Sequence, residues 1–234
     1  MTNGIRESGL RIRPAPNSKA DLPTLTAIVD ADAAERAGWT VLDLAAAYLA
    51  GGARVLQLRA KHASSGWLLD AAAAIASAAR AIGAIAVVND RADVARLAAA
   101  DGVHVGQQDL APGAVRRIVG AGALVGLSTH DMAQLEHAVL EPVNYVAIGP
   151  VYRTTTKATG YQAVGLDLVR AAARRAHERG LPVVAIGGIT LERASDVLAA
   201  GADSVAVISD LMTGGDPEAR VRAYLDRLAR VPKV

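Results

Sequence analysis

Lysine is scarce in this chain, and its placement is informative. The sequence has 25 Lys+Arg but four lysines, Lys19, Lys61, Lys157 and Lys233, and only Lys61 and Lys157 lie away from the ends. Lys157 closes Thr154-Thr155-Thr156-Lys157, after a Gly149-Pro150 break that ends the apolar run Tyr145–Ile148. Hydroxyls, open backbone N–H groups and one ammonium suit the holding of a phosphate. A connection of roughly 15 residues is long for a compact domain and marks function or disorder. The bland alternative is a solvated loop that happens to be Thr-rich. Lys61 ends the stretch Gln57-Leu58-Arg59-Ala60-Lys61. Strand alternation puts Gln57, Arg59 and Lys61 on one side and Leu58 and Ala60 on the other. Two cations on one face suit a polyanion such as pyrophosphate; otherwise they are snorkelling surface side chains.

Two carboxylates stand in matching places. Asp90 follows Val87-Val88-Asn89, and Asp109 closes Gly106-Gln107-Gln108-Asp109 behind the run Gly102–Val105. Two carboxylates with room for water and phosphate oxygens match Mg²⁺, which keeps part of its water shell. The competing reading makes both helix N-caps. Ser128 and Thr129 end another apolar run and either cap a helix or bind an anion. Gly187-Gly188 lets backbone N–H groups approach a ligand, or is a tight turn before an N-cap at Thr190. His104 and His130 read as structural more than catalytic, and neither forms a zinc pattern.

These residues need elements to carry them. Short β-branched runs alternate with Ala-rich helical stretches about eight times. Strands are expected at Leu25–Val29, Arg54–Leu58, Ile85–Val88, Gly102–Val105, Leu124–Leu127, Tyr145–Ile148, Pro182–Ile186 and Ser204–Ile208. Helices are expected near Val41–Ala50, Ser65–Ile82, Ala92–Ala99, Ala114–Val119, Met132–Val139, Leu166–Arg179, Leu191–Ala199 and Pro217–Ala229. Strands joined by single helices make right-handed βαβ units and a parallel sheet. Ala50-Gly51-Gly52-Ala53, Ala100-Asp101-Gly102 and Ala200-Gly201-Ala202-Asp203 each close a helix and open a strand. A unit recurring eight times favours a single-domain α/β (β/α)₈ TIM barrel over an open doubly wound sheet. In such barrels reactive residues gather where strands run into helices, which is where the residues above fall.

Composition agrees. Hydrophobic residues make up 52%, charged residues 21% and aromatics 3%, with no Phe, so the core is built from Ala, Val, Leu and Ile. A net charge of +2 with scattered cations gives no nucleic-acid footprint. No cysteine means no disulfide framework or thiolate nucleophile, and no apolar run reaches membrane-spanning length. Residues 1–23 lack a signal core and read as a flexible leader, with residues 24–234 as the catalytic barrel and a cytoplasmic location expected.

Taken in order, the stretches Gln57–Lys61, Asn89-Asp90-Arg91, Gly102–Asp109, Ser128-Thr129-His130, Gly149–Lys157 and Ala185–Ile189 resemble the thiamine phosphate synthase family, over about Leu25 to Leu228. The resemblance implies a TIM-barrel transferase of thiamine biosynthesis. It would join an aminopyrimidine-methyl diphosphate to a thiazole phosphate and release pyrophosphate, by ionisation at the pyrimidine methylene and attack of the thiazole nitrogen. It further implies that Gln57, Arg59, Lys61, Asn89, Ser128 and Lys157 hold the pyrimidine diphosphate. Asp90 and Asp109 would bind Mg²⁺; Thr154, Thr156, Gly188, Ile208 and Ser209 would hold the thiazole phosphate. Arg59, Lys61, Ser128 and Lys157 would form the catalytic set, with the Thr154–Lys157 loop as a lid. The partners are then two small phosphorylated substrates, with no nucleic acid and no membrane; a homo-oligomer is compatible with the sequence, which fixes no oligomeric state.

Three residues depart from the family pattern. Ala60 stands where Glu or Asp is usual, Gln108 where Glu is frequent, and Arg153 where Pro is common. Alternation places Ala60 off the ligand side, Gln108 removes an acid near the metal, and Arg153 reshapes the long loop or adds a phosphate contact. A thiazole tautomerase on the same barrel would need neither the diphosphate nor the metal set. A Schiff-base aldolase would need a desolvated lysine, and a non-catalytic metabolite-binding barrel would need none of these groups.

Overall fold

A computed structural model of the protein describes residues 22–154 and 161–232. Eight parallel strands close into a barrel, each paired with its neighbours in chain order: β1 Leu25–Asp30, β2 Val55–Arg59, β3 Ile85–Asn89, β4 Gly102–Val105, β5 Leu124–Thr129, β6 Tyr145–Ile148, β7 Val183–Ile186 and β8 Ser204–Val207. The outer helices are α1 Ala31–Arg36, α2 Val41–Ala50, α3 Ser65–Ala81, α4 Ala92–Leu97, α5 Pro112–Val119, α6 Met132–Ala138, α7 Gly165–His177, α8 Leu191–Ala199 and α9 Pro217–Leu228. The sequence pattern missed α1 and a short 3₁₀ helix at Ser209–Met212. Both are under two α-turns long, too short to show an apolar period.

Side-chain alternation sorts the strands into two layers. Outward residues such as Val29, Leu58, Val88, Val105, Val146, Ala185 and Val207 pack under the helices in one large buried cluster. Its helical side is rich in Ala72, Ala76, Ala79, Ala172, Ala173 and Ala176, and the small side chains let the helices lie close on the sheet. Inward residues form a smaller cluster around Ile28, Tyr145, Ala147, Val184 and Ala206. Above and beside it the barrel interior is polar, with Thr26 and Ser204 joined at 3.1 Å and Gln57 and His104 both buried.

The recurring helix-to-strand unit has a structural purpose. Asp101, just before β4, accepts the Ala86 N–H of β3 at 2.8 Å; Asn144, before β6, accepts the Val125 N–H of β5 at 2.9 Å; Asp203, before β8, accepts the Val183 N–H of β7 at 2.8 Å. Strands β4, β6 and β8 thus each bring a side chain that satisfies an early donor of the strand before, where a buried unpaired N–H costs about 1–3 kcal/mol. Of the two glycines that follow α2, Gly52 is the left-handed one (φ +101°). Gly51 is a right-handed cap whose missing Cβ makes room for α9, since a Cβ there would lie 2.6 Å from Glu218 O.

Candidate active site

The carboxyl ends of β1 to β4 carry two sets of ionic contacts. Arg59, at the end of β2, is ion-paired to Asp30 at the end of β1. The aspartate is fixed in turn because its other oxygen caps α1 by accepting Ala33 N–H at 2.9 Å. Lys61 lies 3.1 Å from Asp90, and Asp90 touches Asp109 across the β3 and β4 loops. Burial first, then the hydrogen bond and charge of Asp109, push the Asp90 carboxyl above its usual range, while Lys61 pulls it back. Asp90 also has φ +64°, a conformation that a non-glycine residue adopts at a cost. Strain and carboxylate crowding meet at one residue.

The helix-cap reading of the two aspartates fails. The residue preceding α4 is Arg91 and that preceding α5 is Ala111, and neither helix has a side-chain cap bond. Asp109 instead accepts the Gly106 N–H at 2.8 Å, folding its own loop back toward β4. Ser128 is not a cap either, since Asp131 caps α6.

Amides and hydroxyls floor this rim. Gln57 donates to Asn89 Oδ1 at 3.0 Å, which leaves the Gln57 carbonyl and the Asn89 N–H₂ for a ligand. Ser128 Oγ sits 2.8 Å from His104 Nε2, and His104 Nδ1 sits 3.0 Å from the Tyr145 hydroxyl. Leu58 and Ala60 face the helix layer, as alternation expects.

Beside this floor, a cavity of about 640 Å³ opens over β7 and β8, lined by Arg153, Thr154, Gly187, Gly188, Arg193, Ile208 and Ser209 among others. Gly187 and Gly188 both have positive φ, +103° and +63°. A Cβ on Gly188 would lie 2.6 Å from Arg153 O, so the turn also needs glycine for close approach. The segment after β6 runs alongside this turn, with Val151 and Tyr152 N–H groups on the Ile186 and Gly187 carbonyls at 2.8 and 2.9 Å. Its two ends are tied where Val164 N–H meets Pro150 O at 2.8 Å. His130 braces the same place, its Nδ1 on Gly149 O at 2.5 Å and its ring stacked on Tyr161 at 3.6 Å. Thr156 and Lys157 lie outside the described residues, and so does most of the expected lid.

Gln57, Arg59, Lys61, Asn89, Asp90, Asp109 and Ser128 therefore stand at the β1–β5 side of the mouth, and Thr154, Gly188, Ile208 and Ser209 at the β6–β8 side. Sequence reasoning missed Asp30 and Arg193. Asp30 carried the same signal as Asp90, a carboxylate directly behind an apolar run. Arg193 lies within α8, donates to Gly188 O at 3.1 Å and covers the Tyr152 ring at 4.6 Å.

The sequence model describing thiamine monophosphate synthase matches residues 25–211. The chain belongs to that family. It is 46% identical over 195 residues to the thiamine-phosphate synthase of Methanoculleus marisnigri, covering 82% of this chain and 90% of that one. It is 45% identical over 195 residues to that of Mycolicibacterium smegmatis, covering 80% and 85%. Among solved structures, the thiamine phosphate pyrophosphorylase from Pyrococcus furiosus superposes with a TM-score of 0.79 at 27% identity, covering 89% of this chain and 96% of the other. The barrel is thus that of a thiamine monophosphate synthase, a transferase of thiamine biosynthesis.

Among the described residues no group of three or more His, Cys, Asp or Glu side chains forms a metal cage. Two touching carboxylates, one with its pKa pushed up by burial and then by the other, nevertheless fit a hard dication that would relieve their repulsion. Mg²⁺ bound by few side chains fills its remaining positions with water and substrate oxygens. No helix among the described residues is long and apolar enough to cross a membrane.

Proposed function

We propose that this chain joins an aminopyrimidine-methyl diphosphate to a thiazole phosphate, with the diphosphate on the β1–β4 rim and the thiazole phosphate over β7 and β8. The observation that carries the reading is that two ionic sets, Asp30–Arg59 and Lys61–Asp90–Asp109, share one rim next to a cavity floored by the Gly187-Gly188 turn. Asp90 and Asp109 would hold Mg²⁺, which supplies charge neutralisation on the diphosphate.

The protein's own groups do the rest. Arg59 arrives with its geometry fixed by Asp30, so little reorganisation is needed as negative charge grows on departing pyrophosphate. Lys61 can move from Asp90 to a phosphate oxygen, its side chain being about half exposed. Each charge-assisted bond contributes roughly 1.5–3 kcal/mol, and several acting on charge that develops in the transition state add to the rate. The free carbonyl of Gln57 and N–H₂ of Asn89 offer an acceptor and a donor to the aminopyrimidine edge. The Gly188 and Ser209 backbones and Thr154 hold the thiazole phosphate. Two anionic ends anchored on opposite sides of one mouth bring the methylene and the thiazole nitrogen together. No protein nucleophile is required.

The test mixes purified protein with both phosphorylated substrates and Mg²⁺ and measures pyrophosphate. Release that needs both substrates, and that drops sharply in Asp90→Asn and Asp109→Asn, supports the assignment. Full activity in both variants removes the metal site, and pyrophosphate release indifferent to the thiazole phosphate removes the transfer reaction.

A further inference from the structure

The His104–Tyr145 pair has no place in the scheme above, yet the barrel is built around it. Both side chains are buried inside the barrel, 7% exposed each, with rings 5.5 Å apart and 23° from parallel. Strand β5 passes them with Gly126, where a Cβ would lie 2.5 Å from His104 Nδ1 and overlap the Tyr145 ring. Any side chain at position 126 would displace the pair.

Its hydrogen bonding has a direction. Burial pushes the pKa of Tyr145 up, so the phenol keeps its proton. A buried O–H must donate, and its partner is His104 Nδ1 at 3.0 Å. Nδ1 therefore accepts, and the neutral ring carries its proton on Nε2. Nε2–H then donates to Ser128 Oγ at 2.8 Å. A hydroxyl that accepts from the ring cannot also donate to it, so the Ser128 proton points elsewhere. The serine is fixed from its other side as well, because its backbone carbonyl accepts Gln107 Nε2–H at 2.6 Å.

We infer that Tyr145, acting through the His104 tautomer, turns the Ser128 hydroxyl into a dedicated donor to the bound pyrimidine diphosphate. The inference rests on the reading of Ser128 as a substrate contact. Tyr145 and His104 are positioning residues; Ser128 makes the contact. With the opposite tautomer, Ser128 would give its proton to Nε2 and meet the substrate only as an acceptor.

Two measurements test it. In protein labelled with ¹⁵N-histidine, the His104 ring should show protonation at Nε2 and a bare Nδ1; a proton on Nδ1 overturns the relay irrespective of any activity. Kinetics of pyrophosphate release supply the second. Tyr145→Phe should lower kcat about 10-fold while leaving the KM for thiazole phosphate within about twofold. In a Ser128→Ala background the same change should cost almost nothing, because its target is gone. Equal losses in both backgrounds make Tyr145 a packing residue and overturn the proposal. Full activity in Ser128→Ala also overturns it, by removing the substrate contact on which it rests. Should Tyr145→Phe fold poorly, His104→Gln and His104→Met replace it. A glutamine amide can accept from Tyr145 and donate to Ser128, so Gln should retain several-fold more kcat than Met; equal activities count against the relay.

Discussion

Replacing Asp90 by asparagine should make the metal-free protein more stable while disabling it. Asp90 has its carboxyl pushed above the usual range by burial and by Asp109, with Lys61 opposing. The folded form therefore holds this proton more tightly than the unfolded chain. That contribution is complete below the ordinary carboxylate pKa and is lost as pH rises through the raised value. At pH 7 without a cation, what remains is repulsion between two carboxylates. Unit charges 4 Å apart interact by about 1 kcal/mol in water and about 4 kcal/mol near a protein surface. Asparagine removes that term and forfeits the part-exposed Lys61 pair, which contributes about 0.2–1 kcal/mol. The backbone does not object, since asparagine tolerates the φ of +64° that Asp90 adopts. A net gain of about 1 kcal/mol corresponds to about 2–4 °C in a domain of this size. The assay is thermal melting in chelator and then with Mg²⁺, for wild type, Asp90→Asn and Asp90→Ala. Wild type should gain stability with Mg²⁺, about 2.7 kcal/mol at a concentration 100 times its Kd, and Asp90→Asn should gain little. Asp90→Ala should melt below Asp90→Asn, since alanine pays for the left-handed backbone. An Asp90→Asn protein that melts lower than wild type in chelator, or that keeps the full Mg²⁺ shift, refutes both the repulsion and the metal site.

Asp30→Ala should destabilise the fold by about 3–5 kcal/mol, because Arg59 would be left as a largely buried unpaired charge; diphosphate binding should weaken with it, read by melting and by KM. Gly188→Ala meets both a positive φ and a Cβ position 2.6 Å from Arg153 O. The thiazole-phosphate KM should rise well above that for the pyrimidine substrate, and an unchanged KM ratio would take the Gly-Gly turn out of the phosphate site. Asp203→Ala removes the acceptor of Val183 N–H and the partner of His177, which lies 2.7 Å away. It should lower stability by about 1–3 kcal/mol with kcat unchanged, measured by denaturant unfolding beside steady-state rates.

The barrel was legible because its evidence is repeated: eight apolar runs, each with a helix behind it, leave few closed topologies. The rim was legible for a related reason, since a charged residue directly behind an apolar strand is conspicuous and barrel geometry then sends all such residues to one end. Where a signal depended on partners distant in sequence, reading stopped. Asp30 has the strand-end signature, but its importance lies in the Arg59 it holds from 29 positions away. Asp101, Asn144 and Asp203 look like ordinary turn residues, and only strand pairing reveals that each satisfies a neighbour's N–H. In the sequence His104 reads as more structural than catalytic, which burial alone would justify. Its bonds to Tyr145, 41 positions on, and to Ser128, 24 positions on, convert that burial into a direction for a proton. Gly126 was the trace of this arrangement in the sequence: a glycine inside a strand marks close approach, and here the approaching groups are the two rings that orient the serine.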